Sequence, residues 1–441
     1  MSTRLRIKLR IPWALPLTVA TFLLFSKMYA DVVVPTFNFG GMVSSPRDHR
    51  YIEMTLLIVT QFLLPGRVKM PSDFYNWLFF IVLLIPASVL SAEQGSARYS
   101  LFLMFAALWL SLAFRGFFGL VVSHRTYVSC NNYRKLPYYS IMCFVILILV
   151  LLAISVRGVF NLNFANVYEF RFHISANMPL ALRYLLPMAS GALVGYLAAM
   201  SAHRRDTKGM LLIAVIGVMF FGFSSHKAML FYPLMVIFSY FYLKMSRPYL
   251  PIFICFLIMT LITLAIPSDN SRLLGALFAN RVVFIPSHIN FFYFDYFTKN
   301  SFMLWAESKI SLGLVTSELP MAVMNYIGGL MTGNYEIGAN TGWVANAYMN
   351  AGIIGIVIYA ALVGFIFSLI DLWAKVYSLQ LVGAAFLVPV TTMIMTADLL
   401  IVLLTSGLFV LLLIFQLTTM RLTMRNKNSV KKQKQAVCHN A

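Results

Sequence analysis

Hydrophobic positions fall in long unbroken runs separated by short polar stretches. Runs able to cross roughly 30 Å of hydrocarbon occupy 11–30, 51–65, 74–92, 99–114, 137–156, 180–200, 209–223, 228–243, 250–267, 347–371, 381–396 and 398–417. The pattern predicts an all-α polytopic integral membrane protein with about 12 transmembrane helices. Met28-Tyr29-Ala30 is a poor small-x-small cleavage site and Lys27 lies inside the first run, so that run is expected to be a retained anchor and not a signal peptide. Two connections are long, 157–179 and 268–346; the others are short.

Composition excludes the water-soluble classes. The 441 residues are 60% hydrophobic and only 11% charged, against roughly 25% charged in globular proteins. A net charge of +20 would point to a nucleic-acid partner in a soluble chain. Here 22 of the 34 basic residues fall in loops on the side of the two termini and 11 on the other, with Lys27 within a run. Acidic residues run the opposite way: Asp73, Asp206 and Asp371 alone lie on the terminal side. Positive loops stay in the cytoplasm, so both termini are expected there, with 157–179 and 268–346 on the outer face. The excess charge is then topological, and no nucleic-acid partner is expected. Residues 1–420 form one transmembrane domain; the Lys-rich tail 421–441 is expected to lie against anionic membrane lipids. Cys130, Cys143, Cys255 and Cys438 have no paired spacing, so neither a disulfide framework nor a zinc site is expected.

Candidate chemistry concentrates on the outer face. In Asn166-Val-Tyr168-Glu169-Phe-Arg171-Phe-His173, an extended backbone would set Glu169, Arg171 and His173 on one face and the aromatic residues on the other. This is either an interfacial loop with a salt bridge and aromatic anchors, or an anion site with a neighbouring acid/base. The planar arginine fork suits a diphosphate. Ser224-Ser225-His226-Lys227 joins two apolar runs and holds an imidazole and an ammonium at one helix mouth. Residues 280–297 read as an aromatic helix lying in the interface. Arg281, His288 and Asp295 are spaced seven apart, which would bring the last two to one helix face. Asn340, Asn346 and Asn350, interspersed with glycine, can bond hydroxyl-rich ligands. No DxD, HExxH, Walker or dinucleotide motif occurs. No metal or cofactor is expected. Glu53, Lys27 and Asp398 sit near run ends, where snorkelling would explain them.

The string VYEFR (167–171), the later NRVVFIP (280–286) with YFDYF (293–297), and GANTGWVANAYMNAGIIGIVIYAALVGFIFSLID (338–371) resemble the Wzy-type O-antigen or oligosaccharide repeat-unit polymerases. The resemblance covers most of the chain in layout, with legible motifs at 166–173, 224–227, 280–297 and 338–371. It implies a GT-C-like, metal-independent glycosyltransferase of the bacterial inner membrane. Such an enzyme moves the growing glycan from undecaprenyl diphosphate onto the next lipid-linked repeat unit at the periplasmic face, alongside a chain-length regulator and a flippase. Position by position it assigns Arg171, Arg281 and Lys227 to the diphosphate. It leaves Glu169, His226 and His288 as candidates for the base, and places Asn340, Tyr348 and Tyr293 against glycan. The alternatives are an O-antigen ligase and, from another class, a lipid-linked oligosaccharide flippase. Apolar spans without buried charge argue against the flippase.

Overall fold

The computed structural model describes residues 14–37, 40–95, 98–123, 137–163, 167, 170–171, 174, 178–266, 275–308 and 311–419. The described residues are helical with no strand. Six helices are long and apolar enough to cross a membrane: Leu15–Phe37, Pro71–Gln94, Arg98–Val121, Leu180–Arg204, Thr207–Ser224 and Trp343–Val376. Shorter apolar helices fill five more of the expected runs, at Tyr51–Leu63, Tyr139–Ser155, Lys227–Tyr242, Tyr249–Ala265 and Leu408–Thr419. The run expected at 381–396 is divided into Leu379–Ala385 and Leu387–Met395 at Phe386. The last run is broken ahead of Leu408 by Gly407, whose φ of 82° only glycine adopts freely.

Pro71–Gln94 is wholly enclosed, and the other helices pack around it. Leu147, Ile154, Leu211, Val215, Phe238 and Ile258 are exposed on the outer helices. An exposed apolar belt of this kind suits hydrocarbon and not water. Several helices contain a π-turn beside a proline. Phe80–Leu84 precedes Pro86, Tyr29–Val33 precedes Pro35, and Met188–Leu193 follows Pro187. Proline lacks the N–H that the carbonyl four residues back requires, so the ladder shifts to i→i+5, seen in Ile85 N–H donating to Phe80 O.

Three expectations are corrected. Glu53 does not snorkel: it is fully buried, bonded by Arg98 at 3.0 Å and Ser91 Oγ at 3.2 Å. The apolar spans do enclose charge. Arg115 binds Asp73 at 2.7 Å and Asp371 at 2.9 Å, while Ser72 donates to Asp371 from N and Oγ at 3.1 and 2.6 Å. This ionic triad ties Pro71–Gln94, Arg98–Val121 and Trp343–Val376 together at one end. Residues 285–299 are helical, but they do not lie at the surface: Pro286–Phe291, Tyr293, Phe294 and Phe297 are buried. Their apolar faces pack against Trp343–Val376, which accounts for the aromatic density without an interface.

Candidate functional site

Within 157–179 the described residues of the candidate string do not form a strand. Val167, Phe170, Arg171 and Ile174 are helical, and Val167 and Ile174, seven apart, are both buried. Helical pitch brings i and i+7 to one face, so a helix period replaces the expected period of two. Glu169, Tyr168 and His173 lie outside the described residues.

Arg171 reaches the mouth of the Thr207–Ser224 and Lys227–Tyr242 hairpin. Ser225 there takes a left-handed conformation (φ 55°), and its carbonyl accepts from Arg171 Nη2 at 3.1 Å. Beside this contact lies a cavity of about 320 Å³ lined by Arg171, Arg183, Ser190, Ser224, His226 and Ser406, among others. Pro187 and the π-turn after it also line the cavity, and a Cβ added at Gly191 would lie 3.5 Å from Val388 Cγ1. Burial, and then the charge of Arg171, push His226 down to about 4. The imidazole is therefore neutral at pH 7, which leaves the arginines to set the sign of the cavity. Lys227 opens the adjoining helix but is not among the lining residues.

A second cavity, of about 380 Å³, shares Arg183 with the first. Trp305, Glu307, Asn346, Asn350 and Asp398 supply its polar groups. It owes its shape to a break in Trp343–Val376, where Ala351 (φ −154°) and Gly352 (φ 59°) leave the helix. The carbonyls of Met349 and Asn350 then accept from Met303 N (2.9 Å) and Leu304 N (3.0 Å), and Asn350 Oδ1 accepts from Trp305 N at 2.8 Å. A discontinuous helix of this kind is tolerated at membrane depth where it lines a cavity.

The remaining sequence-derived residues lie elsewhere. Arg281 is exposed on Gly275–Phe284, a helix that packs on Tyr29–Val33, Tyr249–Ala265 and Ile285–Lys299 and not around the cavities. His288 is enclosed between Gln94 and Gly40: Nε2 lies 3.0 Å from Gly40 O and Nδ1 3.3 Å from Gln94 Nε2. The carbonyl can only accept, so the proton sits on Nε2 and the Nδ1 lone pair faces Gln94. Burial lowers this imidazole to about 4 as well. Asp295, seven residues on, is exposed and paired with Lys299 at 2.8 Å, so their shared helix angle does not make a shared site. Tyr293 donates to Ala339 O at 3.1 Å and Tyr348 meets Thr298 Oγ1 at 3.0 Å, both in the core; Asn340 is exposed. Of the nine residues, the structure brings Arg171 and His226 to one cavity. Arg183 and Asp398, which line these cavities, are not among the residues that the sequence picks out for the site. Their signal was a charge at the end of an apolar run, which is a functional hypothesis by default in a membrane protein.

The described residues thus define a helical protein in which six helices are long and apolar enough to span a membrane, with paired polar cavities at the ends of several of them. No protein-family model matches the chain, and no curated protein or solved structure does.

Proposed function

We propose that this chain is a repeat-unit polymerase of the bacterial inner membrane, with twelve spans, cytoplasmic termini and a GT-C-like architecture. It transfers a growing glycan from undecaprenyl diphosphate to the next lipid-linked repeat unit at the periplasmic face. The observation that carries this reading is the convergence of Arg171 and Arg183 on one cavity whose histidine is uncharged. Negative charge grows on a leaving diphosphate as the sugar departs, and fixed cations at that point lower the barrier. The charge asymmetry of the loops supports an orientation with this cavity outside the cytoplasm. Arg281 and Lys227 remain diphosphate candidates by resemblance, as Glu169, His226 and His288 remain candidates for the base. Tyr293, Tyr348 and Asn340 keep their proposed glycan contacts on the same ground.

The test is reconstitution of the purified chain with lipid-linked oligosaccharides extracted from source cells lacking its gene. Release of undecaprenyl diphosphate with formation of longer lipid-linked chains is expected. Movement of the lipid-linked unit across the bilayer without release would identify a flippase. Transfer to lipid A core, with no extension, would identify a ligase.

A further inference from the structure

At the opposite end of Leu180–Arg204 from Arg183, basic side chains come together that the proposed transfer does not use. The last turn of that helix carries His203 and Arg204, and the adjoining Lys227–Tyr242 adds Lys244 just past its end. His203 Nδ1 lies 3.1 Å from the hydroxyl of the buried Tyr240, and the two rings meet edge-on at 5.8 Å. Lys244 Nζ stands 5.0 Å from the centroid of Tyr240 and 4.9 Å from that of Phe241. On the other flank, the Arg204 guanidinium lies 4.5 Å from the centroid of Tyr138, whose hydroxyl is 2.9 Å from Ser201 Oγ. Both cations thus rest on aromatic faces, and both are near enough to His203 to act on it electrostatically.

Elsewhere the fold answers its arginines with acid: Arg50 with Glu93, Arg98 with Glu53, and Arg115 with Asp73 and Asp371. No ion pair among the described residues engages Arg204, Arg205, Lys208 or Lys244. Asp206, the acid beside them in sequence, serves as a helix cap, its Oδ1 accepting from Gly209 N at 2.9 Å. Like charges gathered without a counter-charge repel one another, and an anion seated among them removes that repulsion. Next to the cations the surface turns apolar. Phe241 and, three residues earlier, Phe238 are exposed, as are Leu211 and Leu212 on the neighbouring Thr207–Ser224. A ligand seated here meets positive charge at one end and an apolar surface at the other.

We propose that Arg204 and Lys244, on either side of His203, bind the phosphate of an acidic phospholipid headgroup whose acyl chains lie along Phe238 and Phe241. Such a site is independent of the transfer reaction proposed above. It also differs from the general attraction of a basic loop face for anionic membrane. Here two cations are held on rings around one imidazole, whereas Arg67 and Lys69 are exposed in a loop that reaches the same end of the fold through Val68 N and Ser246 O.

In the experiment the full chain in detergent is titrated with phosphatidylglycerol in mixed micelles, at about 0.15 M salt to screen distant charges. Bound lipid is read by native mass spectrometry and stabilisation by Tm. Phosphatidylglycerol, unlike phosphatidylcholine, is expected to stay bound and to raise Tm. Arg204→Gln with Lys244→Gln is expected to weaken its binding about 30-fold, or about fivefold for each cation. Lys244→Gln alone changes an exposed side chain and is expected to show its fivefold share even if the double variant unfolds. Arg204→Lys with Lys244→Arg keeps both charges and is expected to stay within about threefold of wild type. Undiminished affinity in the Gln variants overturns the site. Equal weakening in Arg67→Gln with Lys69→Gln overturns it too, because the attraction would then belong to the whole face. Inorganic phosphate that raises Tm as strongly as the lipid would assign the same cations to a soluble anion and overturns the lipid as occupant.

Discussion

Arg171 donates to the carbonyl of Ser225 across 54 residues of sequence, at 3.1 Å. That bond fixes the guanidinium at the hairpin mouth, with His226 next to the accepting residue. If the cation serves a leaving diphosphate, Arg171→Ala should reduce extension of lipid-linked glycan by about 100-fold or more. Lysine keeps the charge without the fork, so Arg171→Lys should fall between. Long ladders on a gel from an Arg171→Ala protein of normal abundance would refute the role.

His226 and His288 are both held down to about 4 in the fold, each chiefly by burial, against 6.5 when solvated. Between those values the unfolded chain binds protons that the folded chain refuses, so stability is lost as pH falls from about 6.5 towards 4. Thermal unfolding in detergent at pH 7 and pH 4.5 checks this. The acid-induced drop in Tm should shrink in His226→Gln and again in His288→Gln. An unchanged drop in both variants contradicts the prediction.

Arg115 neutralises two buried carboxylates at once, at 2.7 and 2.9 Å. Removing one partner of a buried ionic group leaves uncompensated charge, at a cost of about 3–5 kcal/mol. Arg115→Ala should therefore lower Tm far more than Arg50→Ala, whose partner Glu93 faces a guanidinium that is 39% exposed. Equal shifts would show that the triad contributes little.

Gly364 is where Trp343–Val376 meets Arg98–Ser123. A Cβ there would lie 2.7 Å from both Arg115 N and Phe114 Cβ. Gly364→Ala must separate the two helices, costing about 1–3 kcal/mol, and should disturb the Arg115 triad. Its effect on Tm should then be less than additive with Arg115→Ala; strict additivity would place the strain elsewhere.

Sequence by itself determined the helices and much of their placement. Apolar run length is a one-dimensional property, because each helix satisfies its own backbone, so runs such as 74–92 and 209–223 emerge within a few residues of Pro71–Gln94 and Thr207–Ser224. Charge in the loops gave the orientation now proposed for the same reason. Hydropathy could not show which helix lies at the centre, since lipid and protein interior are equally apolar to it; packing alone encloses Pro71–Gln94. Nor could it show pairing over long separations. Asp371 meets Ser72 across 299 residues, and Glu53 meets Arg98 across the ends of two helices. Each would be read singly as a snorkelling or loop charge. At the candidate site, the sequence picked out Arg171 and His226 because both sit in short polar strings between apolar runs. Tertiary structure decided that these two share a cavity, that His288 belongs to a separate buried cluster with Gln94, and that Arg183 joins a second cavity holding Asp398. The physical reason is that a site is made by convergence. Side chains from Leu180–Arg204, the break at Gly352 and the turn before Leu399 meet only once the helices have packed, and no local period records that meeting.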